Sequence, residues 1–431
     1  MKSICLIIPP SPFLGDQKRN TPLGILYVAA SLIEYGYDVQ MADLRNVPES
    51  TWRHDFAKNI PVCDVYGITA TTPEYPFAVK IAGALRHRIP DAIVLGGMHV
   101  TAVGSADPVF DSVIIGEGEI SILKLMNDVE AGTLQPEYRS PLIAPKKFYV
   151  STLEPARHLL PEPSFINTEL CEKGERATAI IASRGCPFDC SFCASSTMWN
   201  RLLRYRDPRE VYYEIKKIID VYGVRQFRFQ DDTLTANKNW VIEFCDIIDA
   251  NNLNIKWRAN SRVDFMDGAV LQRMYDAGCY ELDFGVEDIS QRVLDINNKK
   301  VMVQDIYNSL QLTKDIGIKT RVFLMIGLPG QGNDVATKMI QFIEDVAPDA
   351  VDLSTFVPMP GSDVYNNPDK YGIVLHENVD FNDYVFTLGL YGDEADRDFI
   401  FEHDVLENDE LKMHRAEILL YIKKRNMVLN K

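Results

Sequence analysis

Short apolar runs alternate with amphipathic stretches twice along this chain, and a chain built that way has few means of burying its apolar surface. In the first 130 residues, segments 2–9, 38–43, 64–69, 92–96 and 112–115 are rich in β-branched residues and end in polar residues or glycine, which predicts buried strands. Between them, 23–35, 52–59, 74–89 and 119–128 carry apolar residues at helical spacing. Strand then helix, repeated, predicts an open parallel sheet with helices on both faces. Ligands of such sheets sit beyond the carboxyl ends of the strands.

The pattern stops at residues 131–176, which hold Pro136, Pro141, Pro145, Pro155, Pro161 and Pro163 and little helical period. This reads as an extended linker packed on its neighbours. Alternation resumes at 177, with strands expected at 179–183, 226–230, 255–260, 281–285, 320–326 and 350–356. Helices are expected at 207–221, 238–250, 267–277, 303–315 and 333–345. Six strands are too few for a closed eight-fold barrel and enough for a three-quarter one, whose reactive edge is again the carboxyl ends. Beyond residue 362 come an acidic, aromatic stretch at 381–402 and a helix expected from 408 to 425.

Composition narrows the class. The chain has 431 residues, 46% hydrophobic and 25% charged, a globular make-up with room for two domains. Lys and Arg number 45 against 61 Asp and Glu, a net charge of -16 that repels a phosphate backbone or an anionic membrane. No apolar run is long enough to span a bilayer, and the amino-terminal stretch is too short for a signal-peptide core. A cytoplasmic protein acting on a small molecule, with neither membrane nor nucleic acid as partner, is expected.

Five of the eight cysteines, Cys5, Cys63, Cys171, Cys245 and Cys279, fall in expected strands and helices as small apolar residues. The other three stand within one loop, "RGCPFDCSFC", as Cys186, Cys190 and Cys193. A structural zinc site wants four ligands, and no second Cys pair is at hand. A disulfide leaves one thiol over and does not suit a reducing compartment. An iron-sulfur cluster takes thiolates, normally four for four irons, so three leave one iron with an open position where a cosubstrate can bind.

Cys186-Pro-Phe-Asp-Cys190-Ser-Phe-Cys193, with aromatic Phe192 before the last cysteine and its place just after a barrel strand, resembles the cluster motif of the radical S-adenosylmethionine enzymes. The resemblance implies a [4Fe-4S] cluster on these cysteines, S-adenosylmethionine on the open iron, and reductive cleavage to a 5'-deoxyadenosyl radical. It places Asp231 or Asp232 against the cosubstrate's amino group, with a helix N-cap as the structural alternative for Asp232. Arg258, Asn260, Ser261 and Arg262 end the third strand, and Gly285-Val286-Glu287 the fourth. Among these, Asn260 is a candidate cosubstrate contact, and Arg262 and Glu287 are candidates for the ribose hydroxyls and methionine carboxylate, with surface salt bridges as the alternative. The turn Gly327-Leu328-Pro329-Gly330 resembles the one near adenine, and Pro358 to Ser362 the loop that closes the core.

In the first half, Pro22-Leu23-Gly24-Ile25-Leu26-Tyr27, Gly96-Gly97-Met98-His99 and Gly116-Glu117-Gly118-Glu119 resemble the marks of the domain that precedes the radical core in cobalamin-binding members. Thr69, Gly96, Gly97, Gly116 and Glu117 become candidate cobalamin contacts. The loop at 9–21 holds Asp16 and no histidine, so it departs from the Asp-x-His-x-x-Gly pattern of histidine-ligated cobalamin. His99 is read as a turn or packing residue. The implied fold is α/β: a Rossmann-like (flavodoxin-like) parallel-sheet domain at 1–130, a linker at 131–176, a partial (β/α)6 TIM-like barrel at 177–362 and a mostly helical extension at 363–431.

With cobalamin, the resemblance implies methylation of an unactivated carbon. Without it, the same core implies a radical dehydratase, epimerase, isomerase or cyclase, with Glu287, Asp283 or Tyr280 moving protons. A non-catalytic iron-sulfur redox sensor is the alternative from another class. An electron donor such as flavodoxin or ferredoxin is an implied partner. Tyr384, Phe386, Tyr391 and Phe399 either line a pocket or form a small core, and the core is the expectation.

Overall fold

The computed structural model describes residues 2–12, 14, 16–47, 59–140, 153–172, 174–376, 381, 384 and 399–427. They form two compact units, Met1–Asn167 and Thr168–Lys431.

The first unit is built on six strands: β1 (Ser3–Ile8), β2 (Asp38–Asp43), β3 (Val65–Thr69), β4 (Ala92–Gly96), β5 (Ser112–Ile115) and β6 (Glu137–Arg139). All run parallel in the order β2-β1-β3-β4-β5-β6. Ile4, Cys5 and Ile7 of β1 are fully buried, the near-continuous apolar run that a strand covered on both faces requires. The order reverses at β1, between β2 and β3, and in such a sheet the crevice for a ligand opens beyond the carboxyl ends there.

Here the expected strands stand within a residue of their ends, and the helices Leu23–Glu34 and Gly118–Ala131 match two of the amphipathic stretches. The stretch at 74–89 divides into the α-helix Tyr75–Leu85 and a 3-10 turn on each side. The expected helix at 52–59 lies, apart from Asn59, outside the described residues. Two elements went unread. The helix Met98–Val103 begins directly after Gly97, and β6 lies inside the proline-rich stretch, pairing with β5 through Val113 and Glu137. Further along that stretch, Ala156 donates its N–H to the Leu26 carbonyl at 3.1 Å, docking it on the first unit.

The second unit carries β7 (Ala177–Ile180), β10 (Gln226–Phe229), β11 (Lys256–Ser261), β12 (Cys279–Glu287), β13 (Lys319–Ile326) and β14 (Ala350–Thr355) in one parallel sheet whose spatial order follows the chain. Between β7 and β10 a short antiparallel pair, β8 (Ser183–Arg184) and β9 (Arg204–Tyr205), brackets the cysteine loop. This is the partial barrel, with edges at β7 and β14. The two faces of its strands differ sharply. Phe229 and Trp257 pack on Phe244 of the helix Lys238–Ala250, with centroids 5.5 and 6.0 Å away. Alternate positions carry charge instead. Arg258 meets Glu281 at 2.5 Å, and Arg321 reaches Glu281 at 3.1 Å, Asp283 at 3.4 Å and Asp352 at 3.5 Å.

The carboxyl-terminal segment adds an antiparallel strand pair that the helical expectation did not include, β15 (Ile373–Leu375) with β16 (Phe401–His403), before the helix Asn408–Lys424. Glu407 and Glu410 form a capping box at that helix's start, and Lys423 and Lys424 stand in its last turn, matching both ends of its dipole. Tyr384 and Phe399 are buried, and Phe399 and Phe401 pack edge to face at 5.6 Å, as a small core does. Phe386 and Tyr391 lie outside the described residues.

Candidate functional site

The cysteine loop is shaped by neighbours rather than by secondary structure of its own. Gly185 enters it at φ +98°, and a Cβ there would run into the Leu202 carbonyl, so only glycine fits. Asp231, at the end of β10, is buried and accepts from the N–H of Ala182 at 3.2 Å and from both the N–H and the hydroxyl of Ser183. Burial pushes its carboxyl up to about 7, against those donors. Asp231 therefore anchors the loop's root, and of the two expected aspartates Asp232 is the one with open access to solvent.

Four further braces come from distant segments. Ser191 hydrogen-bonds Asn297 through its N–H to the carbonyl at 3.0 Å and its hydroxyl to Oδ1 at 2.9 Å. The Asn297 amide also donates to the Pro329 carbonyl at 2.9 Å, so one side chain ties the cysteine loop to the 327–330 turn. Asn298 donates to the Asp189 carbonyl at 3.1 Å, and the Lys300 ammonium pairs with the Asp189 carboxylate at 2.8 Å. Arg262 sends an N–H to Cys190 Sγ at 3.8 Å and stands 3.6 Å from the centroid of the Phe188 ring.

The three thiols are free and share one neighbourhood. Burial pushes the Cys186 thiol up to about 11, and the charges of Asp232, Cys193 and Cys190 add to this. Burial likewise raises Cys193. Among the described residues no three His, Cys, Asp or Glu side chains converge on a single ion. An all-sulfur donor set spread over a loop fits a cluster, in which each thiolate takes a different iron, better than it fits one zinc.

Around the loop, polar groups are left over. Asn260 donates its amide to the Asp231 carbonyl at 2.9 Å, and its Oδ1, with Thr233 Oγ1 and Thr355 Oγ1, is buried without a hydrogen-bond partner. All three lie at or just past the carboxyl ends of β10, β11 and β14, and unpartnered buried oxygens of this kind mark a place for a polar ligand. Asp232 is solvent-accessible yet recessed among protein atoms, which raises its pKa, and it accepts from the Ser195 hydroxyl at 3.4 Å. It caps no helix. The N-cap there is Asn237, whose side chain accepts from Trp240 N–H.

At the end of β12 the register slips between Gly285 and Glu287, and Glu287 adopts φ +67°, a strained conformation for a side-chain-bearing residue. Its carboxylate pairs with the buried Lys299 ammonium at 2.9 Å, which itself stands 5.8 Å from the centroid of the Phe192 ring. Lys299 and Asn297 escaped the sequence reading. The run Asn297-Asn298-Lys299-Lys300 after a helix was the available signal. The 327–330 turn is held by Gln331, which accepts from Gly327 N–H at 2.7 Å and donates to Asp288 at 2.7 Å. His403 bonds the Leu328 carbonyl at 3.1 Å, so the carboxyl-terminal strand pair buttresses that turn and its Pro329.

Two expected residues and one strand-end neighbour stand elsewhere. Arg258 and Asp283 are buried in the strand-borne ion pairs, and Tyr280 is the second residue of β12, at the end away from the cysteine loop. Tyr280 and Asp283 are thus removed from the reactive edge, because side chains two residues apart on a strand are about 6.6 Å along it. Arg262, expected on a ribose or carboxylate, is engaged with the cysteine loop.

In the first unit, the candidate residues gather at the carboxyl edge. Gly97 has φ +101°, and a Cβ there would crowd Ala70 and the Thr69 hydroxyl at 2.8 Å, so β3 and β4 end in tight backbone contact. Thr101 links the next loop, accepting from Gly116 N–H at 3.0 Å and donating to the Gly97 carbonyl at 2.8 Å. Glu117 is the N-cap position of the helix Gly118–Ala131. His99 is buried, stacks on Tyr75 at 4.0 Å and meets the Thr72 hydroxyl at 3.3 Å, a packing role as expected. Gly24 is exposed in the first turn of the helix Leu23–Glu34, with nothing within 4 Å of where a Cβ would stand. This edge fits a large planar group approaching bare backbone, without a histidine from the β1 loop.

Two family models match the chain: the radical SAM superfamily over residues 180–343 and the B12 binding domain over 17–125. This chain carries a radical SAM domain preceded by a B12-binding domain. Such a pair is the scaffold for S-adenosylmethionine, a [4Fe-4S] cluster and cobalamin, and it makes the chain an enzyme. The chain is 28% identical to an uncharacterised methyltransferase of Pyrococcus horikoshii, over 87% of this chain and 85% of that one. It is 28% identical to an anaerobic magnesium-protoporphyrin IX monomethyl ester cyclase of Rubrivivax gelatinosus, over 87% and 70%. Its fold matches the radical S-adenosylmethionine methyltransferase TsrM of Kitasatospora setae, solved with tryptophan and a SAM analogue, at TM-score 0.70 and 14% identity, covering 99% and 90%. Among the described residues no helix is long and apolar enough to cross a membrane.

Proposed function

We propose that this enzyme methylates an unactivated carbon of a small metabolite. The observation that carries the reading is the three-thiol loop at the carboxyl edge of the partial barrel, beside the unpartnered Asn260 oxygen, in a chain whose first unit offers a bare backbone edge. When bound, the cluster supplies one electron to S-adenosylmethionine and cobalamin carries a methyl group.

The chain's own residues have separable tasks. Cys186, Cys190 and Cys193 hold the cluster as thiolates. Asp232 and Asn260 Oδ1 accept hydrogen bonds from the cosubstrate's amino and hydroxyl groups. Lys299 takes its carboxylate, and Glu287, fixed by Lys299, accepts from the ribose or moves a proton. The turn holding Gly327 and Pro329 lies against the adenine, kept in shape by Gln331. Thr69, Gly96, Gly97, Gly116 and Glu117 line the cobalamin edge. A low-potential electron carrier, flavodoxin or ferredoxin, reduces the cluster.

Ring closure or rearrangement without methyl transfer is the second reading, favoured by the name of the Rubrivivax relative and by Glu287 as the acidic group left at the strand ends. Anaerobic reconstitution with iron, sulfide and cobalamin, then S-adenosylmethionine, dithionite and a metabolite extract, separates them. Methyl transfer yields 5'-deoxyadenosine and S-adenosylhomocysteine together. Deoxyadenosine alone, from protein that retains no corrinoid, establishes the second reading. Neither product with any extract overturns both, and a Cys190→Ala enzyme that keeps its activity overturns the ligand assignment.

A further inference from the structure

Arg262 has one N–H left, too few for a two-point grip on a carboxylate. A guanidinium offers five donors. Nε and one Nη2 hydrogen go to the two Asp264 oxygens at 2.9 and 3.1 Å, another Nη2 hydrogen to the Lys299 carbonyl at 2.8 Å, and Nη1 to Cys190 Sγ at 3.8 Å. The flat of the group lies on Phe188, two residues before Cys190. One cation is thus locked against a sulfur by contacts with the cysteine loop, with its own 3-10 turn and with the segment after the helix Gln291–Ile296.

We infer that Arg262 is a positioning residue that sets the reduction potential of the cluster. The inference rests on the reading that Cys190 is a cluster ligand. Reduction adds one electron, and so one negative charge, to the cluster and its thiolates. A fixed positive charge beside one sulfur stabilises that more negative state, and an N–H to the sulfur withdraws electron density from it. Asp264 does not cancel the effect. Its side chain is 25% exposed against 7% for Arg262, so water screens the carboxylate more than the guanidinium, and the Nη1 edge it leaves open is the one facing Cys190. The role is distinct from ligand binding, because the donors that would grip a carboxylate are already used.

The experiment compares wild type, R262Q and R262K, each reconstituted with iron and sulfide and titrated with dithionite against redox mediators. The reduced cluster is read by electron paramagnetic resonance and the cluster content by iron and sulfide assay. R262Q is expected to keep its cluster content but to be harder to reduce. Poised at the wild-type midpoint, its reduced-to-oxidised ratio falls about tenfold, which is 59 mV for a one-electron couple. R262K, keeping the charge without the planar fork, recovers most of the shift, and the affinity for S-adenosylmethionine changes less than threefold in both. An unchanged midpoint in fully loaded R262Q overturns the inference, as does a loss of S-adenosylmethionine affinity at unchanged midpoint.

Should both variants lose the cluster, D264N decides. It removes the compensating negative charge while Lys299 and Phe188 still hold the guanidinium, so the cluster becomes easier to reduce, and a lowered or unaltered midpoint overturns the inference. A wild-type protein that binds no cluster, or a Cys190→Ala protein with full iron, defeats the proposed function instead.

Discussion

Buried polar groups make the sharpest claims about single residues. Burial lowers the His99 imidazole to about 4, from an ordinary value near 6.5, in a site that keeps it neutral between Tyr75 and Thr72. The sign follows from linkage. Below pH 6.5 the unfolded chain binds a proton that the folded one refuses, so the first unit's stability is complete above 6.5 and declines as pH falls toward 4. The loss is on the order of 3 kcal/mol at 1.36 kcal/mol per pKa unit. Hydrogen exchange of the β3 and β4 amides at pH 7 and pH 4.5 should register it, and a His99→Phe protein should lose most of that pH slope. Equal slopes in the two proteins would refute the assignment.

At the scale of elements, the charged face shared by β11, β12, β13 and β14 is the most vulnerable part of the second unit. Burial opposes ionisation of Glu281, but Arg321 and Arg258 outweigh it and hold the carboxyl below the usual range. Arg321 touches Glu281, Asp283 and Asp352, so an Arg321→Met change strands buried carboxylates rather than removing a pair cleanly. The expected cost is about 3–5 kcal/mol, read as a lowered urea midpoint of the second unit's transition, whereas breaking a surface pair such as Lys216 with Asp220 should leave that midpoint nearly unmoved. Strand periodicity foretold these strands to within two residues at each end, because their apolar positions recur at the pleat's period. It could not foretell which strand residues would meet. Asp283 and Tyr280 looked like acid-base candidates because they stand in a strand near Glu287, yet the pleat and the rise along β12 carry them away from its carboxyl end.

For the whole molecule, legibility follows sequence distance. The three thiols lie within eight residues and announce themselves. The groups that brace and surround them arrive from Asp231, Arg262, Gln331 and the Asn297–Lys299 segment, at the far ends of three strands and one helix, and only folding assembles them. The helix Met98–Val103 was hidden for a local reason, since the preceding glycines read as a turn, and β6 because proline neighbours read as linker. Two compact units with separate sheets predict two calorimetric transitions with separate ligand responses. Hydroxocobalamin at a hundred times its dissociation constant should stabilise the first unit by about 2.7 kcal/mol and leave the second in place. S-adenosylmethionine should do the reverse, and a single transition moved equally by both would show that the units do not unfold separately.

The braces on the cysteine loop run between protein atoms throughout: Asp231 to Ser183, Ser191 to Asn297, Asn298 to Asp189, Arg262 to Lys299. Zinc fingers illustrate the opposite arrangement, in which metal and fold arrive together. Here the loop's bracing bonds have no metal among their partners. Air that strips the iron should therefore leave a scaffold that takes iron and sulfide again, with its circular dichroism unchanged between the two states.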